Sequence, residues 1–160
     1  WEFGRDYSVQ TVGITDLRKS GSAAYARWHD VLMAYNQGEL PAYGAIWLTY
    51  YPHIMIEWYP HVLTVSTLHP ISPERTMNVV EFFYPEEIVA FEREFIEAQR
   101  EAYMETAVED DEIAERMDAG RRALMQRGDN EIGPYQSPME DGMQNFHEWY
   151  RRTLHLSDHA

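Results

Sequence analysis

Cysteine is absent from this chain of 160 residues. That excludes a disulfide framework, a thiolate zinc site and any cysteine-ligated iron–sulfur cluster within these residues, and it fits a reducing, cytoplasmic setting. Long apolar runs are missing as well. No stretch reaches the roughly 18 uninterrupted apolar residues that a membrane-spanning helix needs, so the chain is expected to be soluble. Positive charge is scarce: 13 Lys and Arg stand against 27 Asp and Glu, a formal net charge of −14. Nucleic acid and anionic membrane both require clustered cations, and neither is expected as a partner. The opening WEFGRDYSVQ has no initiator Met, no charged n-region and no apolar h-region, which reads as a processed or cut start. The length itself suits one domain with a real core.

What the chain does contain falls into a sheet-forming part and a helical part. Residues 7–14, YSVQTVGI, are β-branched and end near Gly13, which predicts a strand. After a Ser/Gly break, 23–35 reads as a short helix and 37–44 as a loop. From Ala45 the composition turns to Ile, Val, Thr and aromatics punctuated by Pro, which is sheet composition. The runs 45–51, 53–59, 61–69 and 76–83 read as strands, with a turn at 70–74. Their short connections require antiparallel neighbours, since a parallel neighbour needs a crossover of about a dozen residues or more. In the second run Ile54, Ile56 and Trp58 share one face, and His53, Met55, Glu57 and Tyr59 the other. Both faces are partly apolar, as in a two-sided core or in a sheet that is covered on one side and lines a cavity on the other.

The histidines invite a metal reading because His53, His61 and His69 recur every eighth residue. Pro60 interrupts the strand between them, so a structural or solvent-facing role is expected. His29 beside Trp28, and the pair His155 and His159, have no companions at ligand spacing and are read the same way.

A helix is predicted to open at Tyr84-Pro85-Glu86-Glu87, with Ile88, Phe91, Phe95, Ala98 and Ala102 on one stripe packed on the sheet. Next comes 108–128, VEDDEIAERMDAGRRALMQRG, read as helix continuous with the first or broken near Ala107, and ending at Gly128. At about 100° per residue, Asp110, Ile113, Ala114, Met117, Arg121 and Leu124 share one face of it. Asp111, Glu115, Asp118 and Arg122 share a charged one. Asp110 therefore points inward, where a charge needs a cation, a metal or the helix dipole to stabilise it. Finally, Ser137-Pro138-Met139-Glu140 reads as a capping box before a helix with Met143, Phe146, Tyr150 and Leu154 on its stripe, and the tail SDHA as frayed.

Three of these stretches together resemble the Rieske-type aromatic-ring-hydroxylating oxygenases, in the C-terminal half of the large (alpha) subunit's catalytic domain. They are the sheet YPHIMIEWYPHVLTVSTLHPISPERT, the acidic helix EDDEIAERMDAGRRAL with its Asp followed five positions later by Glu115, and the closing GPYQSPMEDGMQNFHEWYRR. The resemblance implies an α+β helix-grip fold, an antiparallel sheet packed on long C-terminal helices, here incomplete. It implies a mononuclear iron(II) held by two His and one Asp with positions left open for oxygen and substrate. Asp110 is the metal ligand it carries over, with Asp111 the neighbouring alternative; helical phase favours Asp110.

The expected activity is hydroxylation of an aromatic or similar small organic substrate with O2 and reductant. Electrons would come from a reductase or ferredoxin through a 2Fe–2S Rieske cluster, in a homotrimer or larger oligomer. This sequence departs from the family in having no histidine pair four or five residues apart before Asp110 and no Rieske Cys/His motifs. Residues 1–160 are therefore expected to be the C-terminal part of the catalytic domain, without a complete iron site and inactive alone. The rival expectation is a stand-alone helix-grip module that binds an apolar small ligand without chemistry.

Overall fold

The computed structural model describes residues 1–13, 21–129 and 133–156. Six strands form one antiparallel sheet in simple sequence order: β1 (Glu2–Phe3), β2 (Tyr7–Val12), β3 (Ala45–Tyr50), β4 (Ile54–Tyr59), β5 (Val62–Ser72) and β6 (Arg75–Phe83). Among the described residues four helices accompany it: α1 (Ala23–Tyr35), α2 (Glu86–Phe91), α3 (Arg93–Gln126) and α4 (Asp141–Thr153). The arrangement is α+β, with the sheet and long helices of the helix-grip architecture.

Strand register decides which side chains meet. Trp47 pairs with Glu57, Glu57 with Thr64, and Thr64 with Phe82, so these four form one row across the sheet. The same face carries Ala45, Tyr59 and Val62, and the helices cover it. The opposite face presents Ile54, Ile56, Trp58, Tyr50, Val79 and Phe83, and the last four of the named series Trp58, Tyr50, Val79 and Phe83 are exposed. The sheet is thus covered on one side only among the described residues, which differs from both expectations for its two apolar faces.

Tight turns set this register. Pro60 and His61 form the two-residue link between β4 and β5, and His61 takes φ 62°, the left-handed position that a type II turn demands after its proline. The turn expected at 70–74 is shorter than predicted, because β5 continues through Pro70 to Ser72. Pro70 is tolerated there because β4 ends its pairing at Thr67, leaving Pro70 bonded on the β6 side alone and next to a register shift.

The core lies between the sheet, α1 and α3. Ser22 caps α1, its hydroxyl accepting from the Tyr25 backbone N–H at 3.1 Å and donating to Glu105 Oε2 at 2.9 Å. Trp28 and Leu32 of α1 pack with Phe95, Ala98 and Ala102 of α3, and Ile88 and Ala45 complete the buried cluster. The two alanines let the helix backbones approach. Phe91, expected on the same stripe, is instead 83% exposed. Glu92 separates α2 from α3 with a non-helical backbone (φ −117°, ψ 56°), which breaks the helical phase between Phe91 and Phe95.

From Arg93, α3 runs unbroken past Ala107 for 34 residues, about 51 Å at the usual rise. It ends as expected: Gly128 is left-handed, and the Asp129 N–H donates back to the Leu124 carbonyl in a Schellman closure.

The capping box before α4 is replaced by another device. The helix starts at Asp141, four residues after Ser137, and Glu140 uses its carboxylate to accept from the Gln136 N–H at 2.7 Å. The packed face of α4 is also rotated by one residue from the expected stripe. Met143, Tyr150 and Leu154 are exposed, while Gly142, Asn145, Phe146 and Trp149 face the sheet edge. Asn145 donates to the Tyr51 hydroxyl at 2.8 Å and Trp149 to Asp6 at 3.1 Å, so polar anchors chose the face that hydrophobicity alone did not. Gly142 is required by the Trp1 ring, which a Cβ there would meet at 2.4 Å. His159 and the SDHA tail lie outside the described residues.

Candidate functional site

The helix-covered face of the sheet is not an apolar lining. Glu57 stands in its middle, in the row formed by Trp47, Thr64 and Phe82. The Tyr59 hydroxyl donates to Glu57 Oε2 at 2.6 Å and the Tyr103 hydroxyl, reaching down from α3, to Oε1 at 3.4 Å. Trp47 Nε1 donates in turn to the Tyr59 oxygen at 3.1 Å, and Ser66 Oγ lies 3.4 Å from the Tyr103 oxygen. The rings of Tyr59, Tyr103 and Phe82 interlock edge to face, and the Arg100 guanidinium lies over Phe82, 5.6 Å from its centroid.

Electrostatics follow from this packing. Burial raises the Glu57 carboxyl above its ordinary range, and the two phenol hydrogen bonds pull against that rise. Burial, the Glu57 charge and the shared hydrogen bond all raise the Tyr59 phenol. Tyr103 is also raised, first by burial, with Ser66 opposing and the charges of Glu57 and Asp110 adding to it. Both phenols therefore stay protonated and donate. Next to them, two buried polar atoms, Thr64 Oγ1 and Trp28 Nε1, have no hydrogen-bond partner among the described residues. Buried polar atoms are usually paired, with protein, ordered water or a bound group.

Asp110 lies on α3 seven residues beyond Tyr103, two turns along the same stripe. Of the two neighbouring acids, it is the Asp110 charge that acts on Tyr103. The expected inward position is not found. Asp110 is exposed, as are Ile113, Met117 and Arg121 on its face, because α3 runs beyond the part of the fold that covers it. Asp110 makes no hydrogen bond or ion pair among the described residues. The outer face behaves as a solvated surface, where Arg122 bridges Asp118 and Glu74, tying α3 to the β5–β6 turn.

No group of three His, Cys, Asp or Glu is placed to hold a metal among the described residues. His53 lies in the β3–β4 turn, His61 in the β4–β5 turn at the other end of the sheet, and His69 is exposed on β5. His61 contacts Asn36 Oδ1 at 2.7 Å and packs on Tyr35 and Phe95, a structural role. The described residues thus bring together no set of metal ligands, at Asp110 or elsewhere. An open groove of about 640 Å³ lined by Tyr35, Leu40, Tyr43, Trp58, Tyr59 and His61 lies at the His61 end.

Sequence reasoning placed Glu57 and Tyr59 on one strand face and singled out neither. The available signal was a charge at an inward position of an otherwise apolar strand, with a phenol two residues on.

A family model described as "Ring hydroxylating alpha subunit (catalytic domain)" matches residues 3–156. The chain is 71% identical over 155 residues to a putrescine 2-hydroxylase of Ralstonia nicotianae, covering 96% of this chain and 42% of that protein. It is 68% identical over 155 residues to a putrescine 2-hydroxylase of Bordetella bronchiseptica, covering 96% of this chain and 36% of that protein. The chain therefore spans well under half the length of either relative. No solved structure matches it. No helix among the described residues is long and apolar enough to cross a membrane.

Proposed function

Since the chain belongs to the ring-hydroxylating alpha-subunit family, within its catalytic domain, we propose that the whole protein is a Rieske-type iron oxygenase acting on a small aliphatic amine, with putrescine the first candidate. This narrows the aromatic or similar small organic substrate expected from the sequence to the amine side, as the two relatives' names and identities support. Hydroxylation consumes O2, two electrons and two protons, and converts one C–H bond to C–OH with release of water. Iron(II) held by two imidazoles and a carboxylate supplies the O2 chemistry, because it leaves coordination positions open.

Asp110 is the carboxylate ligand in this reading. The observation that supports it is that Asp110 lies two turns along α3 from Tyr103 on one stripe, its oxygens engaged by no protein cation among the described residues. The two histidines and the 2Fe–2S cluster belong to parts of the protein outside these 160 residues, for which the greater length of the relatives leaves room. Electrons reach the cluster from a reductase or ferredoxin, in a homotrimer or larger assembly.

The test uses the full-length protein. With Asp110→Ala, bound iron falls to about a tenth or less of the wild-type content and hydroxylated putrescine disappears from the product mass spectrum. Asp111→Ala retains both. Retained iron in Asp110→Ala, with iron lost in Asp111→Ala, moves the ligand by one residue; retained iron in both removes this helix from the metal site.

A further inference from the structure

We propose that Glu57, backed by the hydroxyls of Tyr59 and Tyr103, is the receptor for the substrate ammonium group remote from the carbon that is hydroxylated. The inference rests on the oxygenase reading above and adds the residues that select a diamine.

Four observations converge on Glu57. It is a half-buried carboxylate in the centre of the helix-covered face, and no Lys or Arg pairs with it among the described residues. Carboxylates withdrawn from water in this way need a partner, and two neutral phenols leave the charge itself uncompensated. The surroundings are aromatic: the rings of Tyr59 and Tyr103 meet edge to face beside the carboxylate and reach it through their hydroxyls. Directly across the β4–β5 ladder, the buried Thr64 hydroxyl oxygen has no partner among the described residues. An ammonium brings three N–H donors, enough for the Glu57 carboxylate and for Thr64 Oγ1 together.

Reach agrees as well. Tyr103, which touches Glu57, is seven residues from Asp110 on one helix stripe, an axial separation of about 10.5 Å. An extended four-carbon diamine spans roughly 6 Å between its nitrogens by standard bond lengths. A diamine held at Glu57 is therefore shorter than the stretch of α3 between Tyr103 and Asp110.

Binding to Glu57 also has an electrostatic consequence. Burial alone holds this carboxyl above its ordinary range, and a neighbouring cation acts in the opposite sense, favouring the charged form.

The experiment compares putrescine with n-butylamine, which has the same carbon chain and lacks the second nitrogen, on iron-loaded full-length protein by calorimetry and by product formation. Wild type binds putrescine more tightly than butylamine. Glu57→Gln loses roughly tenfold to a hundredfold in putrescine affinity, the range for a hydrogen bond to a charged group, and with it the preference for putrescine over butylamine, while iron content is unchanged. Tyr103→Phe gives a smaller loss in the same direction. If Glu57→Gln does not accumulate, Glu57→Asp, which keeps the charge and withdraws it by one methylene, is expected to weaken putrescine more than butylamine.

A wild type without preference for the diamine overturns the inference. So does a Glu57 variant that keeps the preference, or one that weakens both amines equally, which marks a structural carboxylate. Binding of putrescine without any hydroxylated product defeats the oxygenase reading instead, and the calorimetric comparison still decides Glu57.

Discussion

At the scale of single residues, Glu57 couples the site to stability through its proton. Its folded-state pKa lies above the ordinary 4.5 because burial opposes the charge. Between 4.5 and that raised value the folded protein therefore holds a proton that the unfolded chain has released. Stability contributed at Glu57 must then fall as pH rises through this window, the reverse of a salt-bridged carboxylate. The groups facing it do not alter the sign. Trp47, Tyr59, Thr64, Ser66 and Tyr103 are neutral, and the Asp110 charge felt at Tyr103 is negative. The melting temperature of full-length Glu57→Gln, taken relative to wild type without substrate, is accordingly expected to rise from about pH 4 to about pH 8. A difference independent of pH would show that the carboxyl is not desolvated, or that a cation from elsewhere in the protein already compensates it.

At the scale of elements, the α1–α3 interface shows what helical periodicity can and cannot locate. Phe95 is fully buried against Tyr35 and His61, whereas Phe91, one turn earlier in the same written stripe, is 83% exposed. Phe95→Ala is expected to cost about 3–5 kcal/mol in chemical denaturation, and Phe91→Ala about 0.5 kcal/mol or less. Similar costs for the two would contradict the break at Glu92. That break was not legible because Glu is an ordinary helix residue, and only its backbone angles interrupt the phase. The bounds of α1, the stripe from Phe95 to Ala102 and the antiparallel order of the strands were legible, since each rests on local pattern. In α4 the pattern pointed to Met143, Tyr150 and Leu154, and the anchors made by Asn145 and Trp149 overrode it. The candidate site divides in the same way. Helical phase found the stripe of Asp110, but Glu57 acquires its meaning from Tyr103, 46 residues away in sequence, which no local pattern joins to it.

At the scale of the whole molecule, large apolar side chains are left open on the sheet and on α3 among other places. Trp58, Tyr50 and Phe83 are each about half exposed on the outer face of the sheet, and Val108, Ile113, Met117 and Met125 are exposed along the second half of α3. Exposed apolar side chains that form a patch mark a contact surface. The chain spans only 42% and 36% of the relatives it matches, and Asp110 shares its stripe with Ile113 and Met117. A metal ligand on that stripe needs partner ligands brought against it, and the residues that bring them must cover Ile113 and Met117 too. If those side chains were as exposed in the full-length protein as they are here, Ile113→Ala and Met117→Ala would each change its stability by about 0.5 kcal/mol or less. Covered, each is expected to cost about 2–5 kcal/mol and to lower iron content together with stability, because cover and coordination come from the same contact. Near-neutral substitutions with undiminished iron would separate the two, leaving Asp110 on a solvent-facing ridge where a mononuclear centre has no second ligand to share.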